Sequence, residues 1–301
     1  MTRSSIRFLV ALALTLVSAP AAFAQDLSTS SGQVPSASSG QGEDDAVLKL
    51  AEPDFTLISL PTSLRLPKLK SAFRVTHRFT RPIDCDTCPN SFVADGFGTD
   101  GGAVIGLEYR FGIVPNGEIG VHRTADKTIE LFGQYGLLRQ GAKAPVEASA
   151  LAAVDVSNVG RSGADSDYSP ALGVIVSRLV GDQAAVYVEP TWVHHTNLFE
   201  QKTLADNDTF LVGLGARVRV LPTLYLLGEF SPRVSGYQPG VNQGSFGVEK
   251  RLGGHMFQLN FSNSFGTTLG QIARGATKQV RSDGTTKQNW YFGFNISRKF
   301  F

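Results

Sequence analysis

Hydrophobic and polar residues alternate along most of the chain from Phe73 onward, with a period of two residues. In the stretch 71–81, Phe73, Val75, His77 and Phe79 share one phase, and arginine and threonine fill the other. This period is typical of β-strands with one apolar and one polar face. The alternation also runs through 103–111, 117–123, 127–138, 184–195, 209–220, 223–231, 245–252, 255–264 and 289–300.

Two further segments, 147–156 and 170–179, have the length of strands but are rich in Ala or Gly, so the phase of each is ambiguous. With them the count reaches twelve strands. Several strands run for about 9 to 12 residues, which is what a tilted strand needs to cross the hydrocarbon core of a membrane. Strands of water-soluble proteins usually run for about 5 or 6 residues.

The two faces of these strands suit a barrel with lipid outside and water inside. Gly, Arg and Glu dominate the polar phase, and aromatic residues gather near strand ends, where interfacial girdles lie. These aromatic residues are Phe79, Tyr109, Trp192, Phe230 and Trp290. The sequence therefore predicts an all-β fold: an antiparallel transmembrane β-barrel of about twelve strands over residues 71–301.

The connections between the strands alternate between long and short. The odd-numbered connections, which are expected to be the outer loops, are 82–102, 124–127, 157–168, 196–207, 235–243 and 265–287, and most of them are long. The even-numbered connections lie at 115–116, 140–146, 181–182, 222 and 253–254, and most of them are short. Long loops outside and short turns inside are typical of outer-membrane barrels. The last strand, "NWYFGFNISRKFF" (289–301), is expected to close the barrel, and its aromatic end resembles the signal that the barrel-assembly machinery recognises.

The N-terminal residues predict export and an unstructured lead-in. Arg3 and Arg7 precede a short apolar run and an Ala22-Phe23-Ala24 cleavage site, which indicates a signal peptide over 1–24. No later stretch supplies the roughly 20 apolar residues of a membrane-spanning helix, so a helical membrane protein is not expected. The signal peptide and the barrel pattern together predict localisation in the bacterial outer membrane. The next residues, 25–47, are rich in Ser, Gly and Gln and should form a disordered tail.

Residues 48–70 are apolar again but are broken by Pro53, Pro61 and Pro67. Proline interrupts helices, so we expect an extended linker into the first strand. The alternative is that part of this segment packs inside or under the barrel.

Composition and cysteine content exclude several classes of function. The net charge of +2 gives no electrostatic support for nucleic-acid binding, and we expect no cofactor. The two cysteines, Cys85 and Cys88, lie in a polar loop. A loop disulfide is the favoured interpretation in an exported protein. A metal site would need two more ligands, and Pro89 stands where c-type haem attachment requires His.

Five stretches resemble an uncharacterised family of bacterial outer-membrane β-barrels, carried as a domain of unknown function. They are "RVTHRF" (74–79), "GLEYRFGI" (106–113), "HRTADKTIELFGQYGLLRQ" (122–140), "GVEKRLGGHMFQLNFSNSFGTTLGQIARG" (247–275) and "WYFGFNISRKF" (290–300). The resemblance covers roughly 55–300 and is most specific at "GGHMFQLNFSNSFGTT". It implies a barrel in the outer membrane, but it supplies no catalytic or binding residues.

Charged residues on the inward phase are the candidate pore-lining groups. They are Arg74, Arg78, Glu108, Arg110, Glu118, Arg123, Glu130, Glu189, Arg217, Arg219, Glu229, Glu249 and Arg251. Acidic and basic groups nearly balance. One interpretation is a network of ion pairs that fills and rigidifies the barrel. The other is a selectivity ring along a narrow pore.

The remaining motifs give little support for an enzyme. His194 and His195 are adjacent and so point to opposite faces of a strand, and no G-x-S-x-G sequence is present. An outer-membrane hydrolase therefore stays a minor alternative. The long loop 265–288 contains "LGQIARG", which is expected either to form a short helix that narrows the pore or to stay exposed.

The sequence thus favours a passive pore or a structural barrel for small polar solutes, surrounded by outer-membrane lipid. The alternative is a non-conducting sheath or docking barrel for an exported partner protein, such as a periplasmic protein that engages residues 25–69.

Overall fold

A computed structural model describes residues 49–85, 88, 90–163, 165–198, 207–280 and 284–300. The predicted signal peptide and disordered tail lie outside the described residues. Twelve strands close into one antiparallel barrel, as predicted. Their bounds are β1 Ser71–Pro82, β2 Ala103–Val114, β3 Gly117–Thr124, β4 Ile129–Leu138, β5 Glu147–Ser157, β6 Asp167–Val180, β7 Ala184–Val193, β8 Thr209–Leu221, β9 Leu224–Ser231, β11 Gln243–Leu252, β12 His255–Ser262 and β15 Tyr291–Phe300.

Five short elements lie in the loops. They are a 3₁₀ helix Gly96–Gly101, β10 Arg233–Gly236, α1 Leu269–Arg274, β13 Lys278–Val280 and β14 Thr286–Gln288. β10 follows β9 in the chain and pairs, as β9 does, with β8. Pro232 separates the two strands because it has no backbone N–H to donate to the strand pairing. β13 and β14 pair only with each other.

The barrel closes because the last strand pairs with the first. Ser71 lies opposite Phe300 and Thr76 lies opposite Asn295, so β15 runs antiparallel to β1. Every other barrel strand pairs with its neighbour in the chain order of barrel strands. Closure leaves no unpaired strand edge, which is the condition that a sheet must meet in hydrocarbon.

The outer surface of the barrel is apolar and the inner surface is mostly polar. Leu107 and Leu259 are 48% and 57% exposed on the outside. Their neighbours along the strand, such as Glu108 and Asn260, are buried inside. This is the reverse of a water-soluble sheet, and it indicates that lipid covers the outer face. Among the described residues, no helix is long and apolar enough to cross a membrane.

The connections separate into two ends of the barrel. We call the end that holds residues 115–116, 181–183, 222–223 and 253–254 the short-turn end, and the opposite end the long-loop end. Asn116 has φ +65°, the left-handed conformation that tight hairpins between strands require.

Residues 49–70 are not a free extended linker, which corrects the first expectation for this segment. Residues 51–64 and Leu66 are all buried, because the chain turns back on itself inside the barrel before it enters β1. Prolines exclude a helix here, but they do not exclude a hairpin whose apolar side chains need cover. We call residues 51–66 the inner hairpin.

Candidate functional site: the filled lumen

The inner hairpin is a tight turn of chain inside the barrel. Leu57 N donates to Leu60 O over 2.8 Å, and Thr62 N donates to Phe55 O over 2.9 Å. Ile58 and Ser59 form its tip. Few of its backbone groups are paired within the hairpin itself, so the barrel wall has to supply the rest.

A single carboxylate of the wall holds the tip. Glu229 Oε2 on β9 accepts the N–H groups of Ile58, Ser59 and Leu60, over 3.0, 2.9 and 3.1 Å. Three converging N–H groups around a buried anion make charge-assisted hydrogen bonds, which are about twice as strong as neutral ones. Glu229 is therefore the main anchor of the hairpin tip.

Wall side chains also donate to the carbonyl groups of the hairpin. Arg217 Nη2 donates to Thr56 O over 2.8 Å, and Asn295 Nδ2 donates to Ile58 O over 3.1 Å. The other donors are Gln134 to Thr62 O, Gln258 to Leu57 O, Arg74 to Ile58 O and Arg217 to Asp54 O. The inward-facing polar side chains thus bind the hairpin backbone.

The ion pairs among the predicted pore-lining residues surround this hairpin. Arg110 pairs with Glu108 and Glu118, and its Nη1 lies 2.8 Å from Glu118 Oε1. Arg217 is 0% exposed, and its Nε lies 3.1 Å from Glu249 Oε1. An ion pair of this kind offsets the cost of removing each charged group from water.

The predicted lumen residues divide into three groups by their position in the barrel. Buried in the lumen are Arg74, Arg78, Glu108, Arg110, Glu118, Glu130, Glu189, Arg217, Glu229 and Glu249. Arg219 and Arg251 also point inward, but they lie near the short-turn end and are half-buried. Arg123 alone points outward.

The prediction that Arg123 lines the lumen is therefore wrong. Glu118 and Arg123 lie five positions apart on β3, and an odd spacing places two side chains on opposite faces of a strand. Glu118 faces inward, so Arg123 faces lipid at the long-loop end. The inward residue beside it is His122, whose Nδ1 lies 3.9 Å from carboxylate oxygens of both Glu108 and Glu130.

Helix α1 fills the lumen from the long-loop end. Thr268 and Gln271 form a reciprocal cap at its start, and all residues from Leu269 to Ala273 are buried. Thr268 Oγ1 donates to Asp155 Oδ2 over 2.5 Å, and Leu269 N donates to Glu130 Oε1 over 2.9 Å. Of the two expectations for loop 265–288, the inward-folded helix is the one that the structure contains.

The hairpin and α1 meet in one apolar cluster. Leu57, Ile58 and Leu60 of the hairpin share it with Leu269 and Ile272 of α1. The wall contributes Leu151, Ala171, Ile175, Ala185, Tyr187, Val193, Leu211 and Leu227. Between the two segments lies a cavity of about 20 Å³, roughly what one water molecule requires. The lumen at this level is therefore packed like a protein core.

Two acidic residues of the inner hairpin have shifted pKa values. Burial raises the pKa of Glu52, although Lys49 acts in the opposite direction. Burial also acts to raise the pKa of Asp54, but Lys299 and Arg217 outweigh it and the pKa of Asp54 is lowered. Lys299 Nζ lies 3.3 Å from Asp54 Oδ1, which supplies that attraction.

At neutral pH the wild-type protein is expected to hold the hairpin in the lumen more firmly than the Asp54→Asn variant does. Acidification is expected to remove this difference. The pKa of Asp54 is lower when the hairpin is docked, so its contribution is fully present above the undocked value of about 3.9. It is lost as the pH falls through the docked value. Hydrogen–deuterium exchange at the hairpin amides, compared between the two proteins from pH 7 downward, measures this. A difference that stays constant at all pH values would contradict the role of the Asp54 charge. The pH dependence that Glu52 contributes has the opposite sign, but it is present in both proteins and cancels in the comparison.

The remaining chemical groups offer other contacts. Cys85 and Cys88 form a disulfide in the loop after β1. His194 Nδ1 lies 2.6 Å from Asp208 Oδ1, and His195 Nδ1 lies 3.3 Å from Tyr168 O. Within the described residues, no group of three His, Cys, Asp or Glu side chains is arranged to hold a metal ion.

Sequence reasoning missed the hairpin contacts and the polar residues that make them. Gln258, Asn295 and Lys299 are buried on the inward face as well, but none of the three is among the candidate pore-lining residues. Gln258 and Asn295 carry no charge, whereas Lys299 is a charged residue of the polar phase of the last strand that the prediction omitted. A signal was present in the apolar residues Phe55, Leu57, Ile58, Leu60, Leu64 and Leu66. Such a cluster before the first strand needs cover from water.

Solved structures with a similar fold come from outer-membrane proteins. The NanC porin is 7% identical, with 76% of this chain and 98% of that chain covered and a TM-score of 0.49. Omp33 of Acinetobacter baumannii is 9% identical, with 77% and 99% covered and a TM-score of 0.43. Outer membrane phospholipase A of Escherichia coli is 11% identical, with 77% and 90% covered and a TM-score of 0.42. At these values the likenesses say nothing about solute or reaction.

The family comparison is more direct. No curated protein matches the chain. A family model described as a membrane-bound β-barrel domain, DUF5777, matches residues 54–300. The match takes in all twelve barrel strands, α1 and nearly all of the inner hairpin. The chain therefore belongs to this family of membrane-bound β-barrel domains.

Proposed function

We propose that this protein is an outer-membrane channel for small polar solutes that its own inner hairpin holds closed. The short-turn end faces the periplasm in this proposal, and the long loops face outward. The observation that carries it is the cradle in which Glu229 binds three backbone N–H groups at the hairpin tip. When these three hydrogen bonds break, the hairpin can leave the lumen while every strand pairing of the barrel stays intact.

The chemistry of the wall supports a reversible closure. Arg217, Gln258 and Asn295 bind backbone carbonyl groups of the hairpin. Water can replace these contacts group for group once the hairpin leaves. On the side formed by β1 to β3, β11, β12 and β15, the emptied lumen would then present Arg, Glu, Gln and Asn side chains. Such a surface suits polar solutes and ions.

Glu229→Gln is expected to raise the fraction of time that the channel is open. The substitution keeps the size of the side chain but removes the charge that three N–H groups share. Hydrogen bonds to charged groups are worth about 1.5–3 kcal/mol, so the open population should rise by roughly 10- to 150-fold. Single-channel recording of the refolded protein in planar bilayers measures it.

Glu189→Gln is the matched control for this experiment. Glu189 is a buried carboxylate on β7 and faces the same lumen, but the described contacts include no hydrogen bond from it to the hairpin. Its substitution should leave the recordings as silent as those of the wild type. Equal opening of the two variants would show that replacement of any buried carboxyl group in the lumen opens the barrel, and silence of folded Glu229→Gln would refute the anchor.

A second candidate function is a non-conducting docking barrel for an exported partner. The placement of Lys49 favours it, because Lys49 pairs with Glu147 at the short-turn end. The described part of the chain thus begins at that end, which faces the periplasm in this proposal. If the barrel stays silent after removal of the hairpin and still retains a periplasmic protein through residues 25–50, this function replaces the channel.

A further inference from the structure

A groove on the lipid-facing surface lies near the short-turn end, across β9, β11, β12 and β15. Its volume is about 480 Å³. Its walls are mostly apolar and include Leu224, Val248, Phe257, Leu259, Phe294 and Ile296, with Lys250 at the side nearest the turns. Gln258 and Asn295 also line the groove. Strand register explains the order, since Leu259 lies opposite Phe294 and Phe257 lies opposite Ile296. The groove therefore runs along the strands from the membrane interior towards the short turns.

Two exposed cations stand where this groove ends. Lys250 lies opposite both Leu224 and Phe257 on the neighbouring strands. One row nearer the turn, Arg298 faces outward on β15, with its Nη1 3.0 Å from His255 Nε2 and its guanidinium 5.4 Å from the ring centre of Phe300. The two cations lie on the same outward face, one row apart.

The lipid-facing surface offers these cations no carboxylate. Across the twelve barrel strands, every Asp and Glu lies on the inward phase: Glu108, Glu118, Glu130, Glu147, Asp155, Asp167, Glu189, Glu229 and Glu249. The outward phase of the same strands carries only basic charges: Arg123, Arg178, Lys250 and Arg298. The outward face of the described barrel strands therefore supplies no carboxylate to Lys250 and Arg298.

The depth of the cations matches lipid headgroups. Lys250 lies two residues before the end of β11 at Leu252, a distance of roughly 7 Å along a strand. A long basic side chain at this depth extends its ammonium group to the interface while its methylene groups stay on apolar surface. The apolar walls continue from there into the depth that acyl chains occupy.

We propose that this groove is a binding site for an anionic glycerophospholipid of the leaflet at the short-turn end. The phosphate lies between Lys250 and Arg298, and one acyl chain lies in the groove between Leu259 and Phe294. Charge complementarity selects the headgroup, and the apolar walls select a lipid over a soluble anion. The site belongs to the outside of the barrel, so it does not depend on whether the lumen conducts.

Association of labelled lipids with the full-length protein in liposomes tests this site. Spin-labelled phosphatidylglycerol should associate with the wild type more strongly than spin-labelled phosphatidylcholine. That preference should fall about fivefold for each cation removed, in Lys250→Gln, Arg298→Gln and the double variant. Lys143→Gln, which removes an exposed cation from the β4–β5 turn at the same end, should leave the preference unchanged.

Two further arms separate the sources of binding. Val248→Trp fills the groove but keeps both cations, and it should reduce association of phosphatidylglycerol. Inorganic phosphate should fail to displace the labelled lipid. Equal association of the two lipids with the wild type, a preference that survives in the double variant, or displacement by inorganic phosphate would each overturn the proposal.

Discussion

Deleting residues 51–66 is expected to turn a silent barrel into a conducting one. The deletion removes the segment that Glu229 holds. It also removes three of the fourteen buried residues of the apolar cluster, Leu57, Ile58 and Leu60, while the twelve strands keep their pairings. Conductance should rise on the order of tenfold or more, because a water-filled lumen replaces packed side chains. Planar-bilayer recordings measure the change, and heat-dependent migration in gels shows that the variant has folded.

Helix α1 limits how far this opening goes. It stays against the β4 to β8 side of the lumen through Glu130 on β4 and Asp155 on β5. We therefore expect a narrow, stable conductance from the deletion variant. A folded deletion variant that remains silent would refute closure by the hairpin and would favour the docking barrel.

A covalent lock provides the reverse experiment. The hydroxyl oxygens of Ser63 and Ser177 lie 2.5 Å apart, one on the hairpin and the other on β6. Cysteines at these two positions are close enough for a disulfide. In the Glu229→Gln background, oxidation of the pair should silence the channel and reduction should reopen it. The two single-cysteine variants, which cannot form this bond, should stay open throughout.

Arg217→Met is expected to destabilise the protein by about 3–5 kcal/mol, the usual cost of removing one partner of a buried ion pair. Arg217 and Glu249 are both buried, and the substitution leaves the carboxylate of Glu249 without its cation. Urea unfolding in lipid vesicles, followed by tryptophan fluorescence, measures the loss.

The double variant Arg217→Met/Glu249→Met separates stability from closure. Replacing both partners with apolar residues of similar size is often neutral, so most of the lost stability should return. The double variant still lacks the donor to Thr56 O and Asp54 O, and it should therefore open more often than the wild type. A double variant as unstable as Arg217→Met would show that Arg217 acts on the barrel through the hairpin and not through Glu249.

The strands were predictable because lipid and lumen impose opposite demands on alternate residues. On β1, β2 and β8 one phase is apolar and the other carries arginine or glutamate, and the structure places those phases outside and inside. On β5 and β6 the inward residues Leu151 and Ile175 are apolar as well, since they cover the hairpin and α1. Both faces of these two strands are then apolar, so the sequence pattern does not indicate which face points into the lumen.

The inner hairpin was not predictable in the same way, because it has no strand or helix period. Its backbone is paired with side chains that lie far away in the chain, for example Ile58 with Glu229 and with Asn295. Pairings of this kind depend on where the barrel wall passes. The inward-folded α1 could be foreseen only as one of two outcomes, because burial of Leu269 and Ile272 requires a partner surface that the hairpin supplies.

The contacts between the hairpin and β15 have a consequence for how the barrel is assembled. The hairpin precedes β1 in synthesis, and β15 is the last strand to arrive. Three alternate residues of β15 contact the hairpin. Asn295 donates to Ile58 O, and Ser297 and Lys299 both contact the carboxylate of Asp54. If β15 slid by two residues along β1, its faces would stay correct but each contact would move by about 7 Å. The contacts between the hairpin and β15 are thus made in only one register of the closing strand.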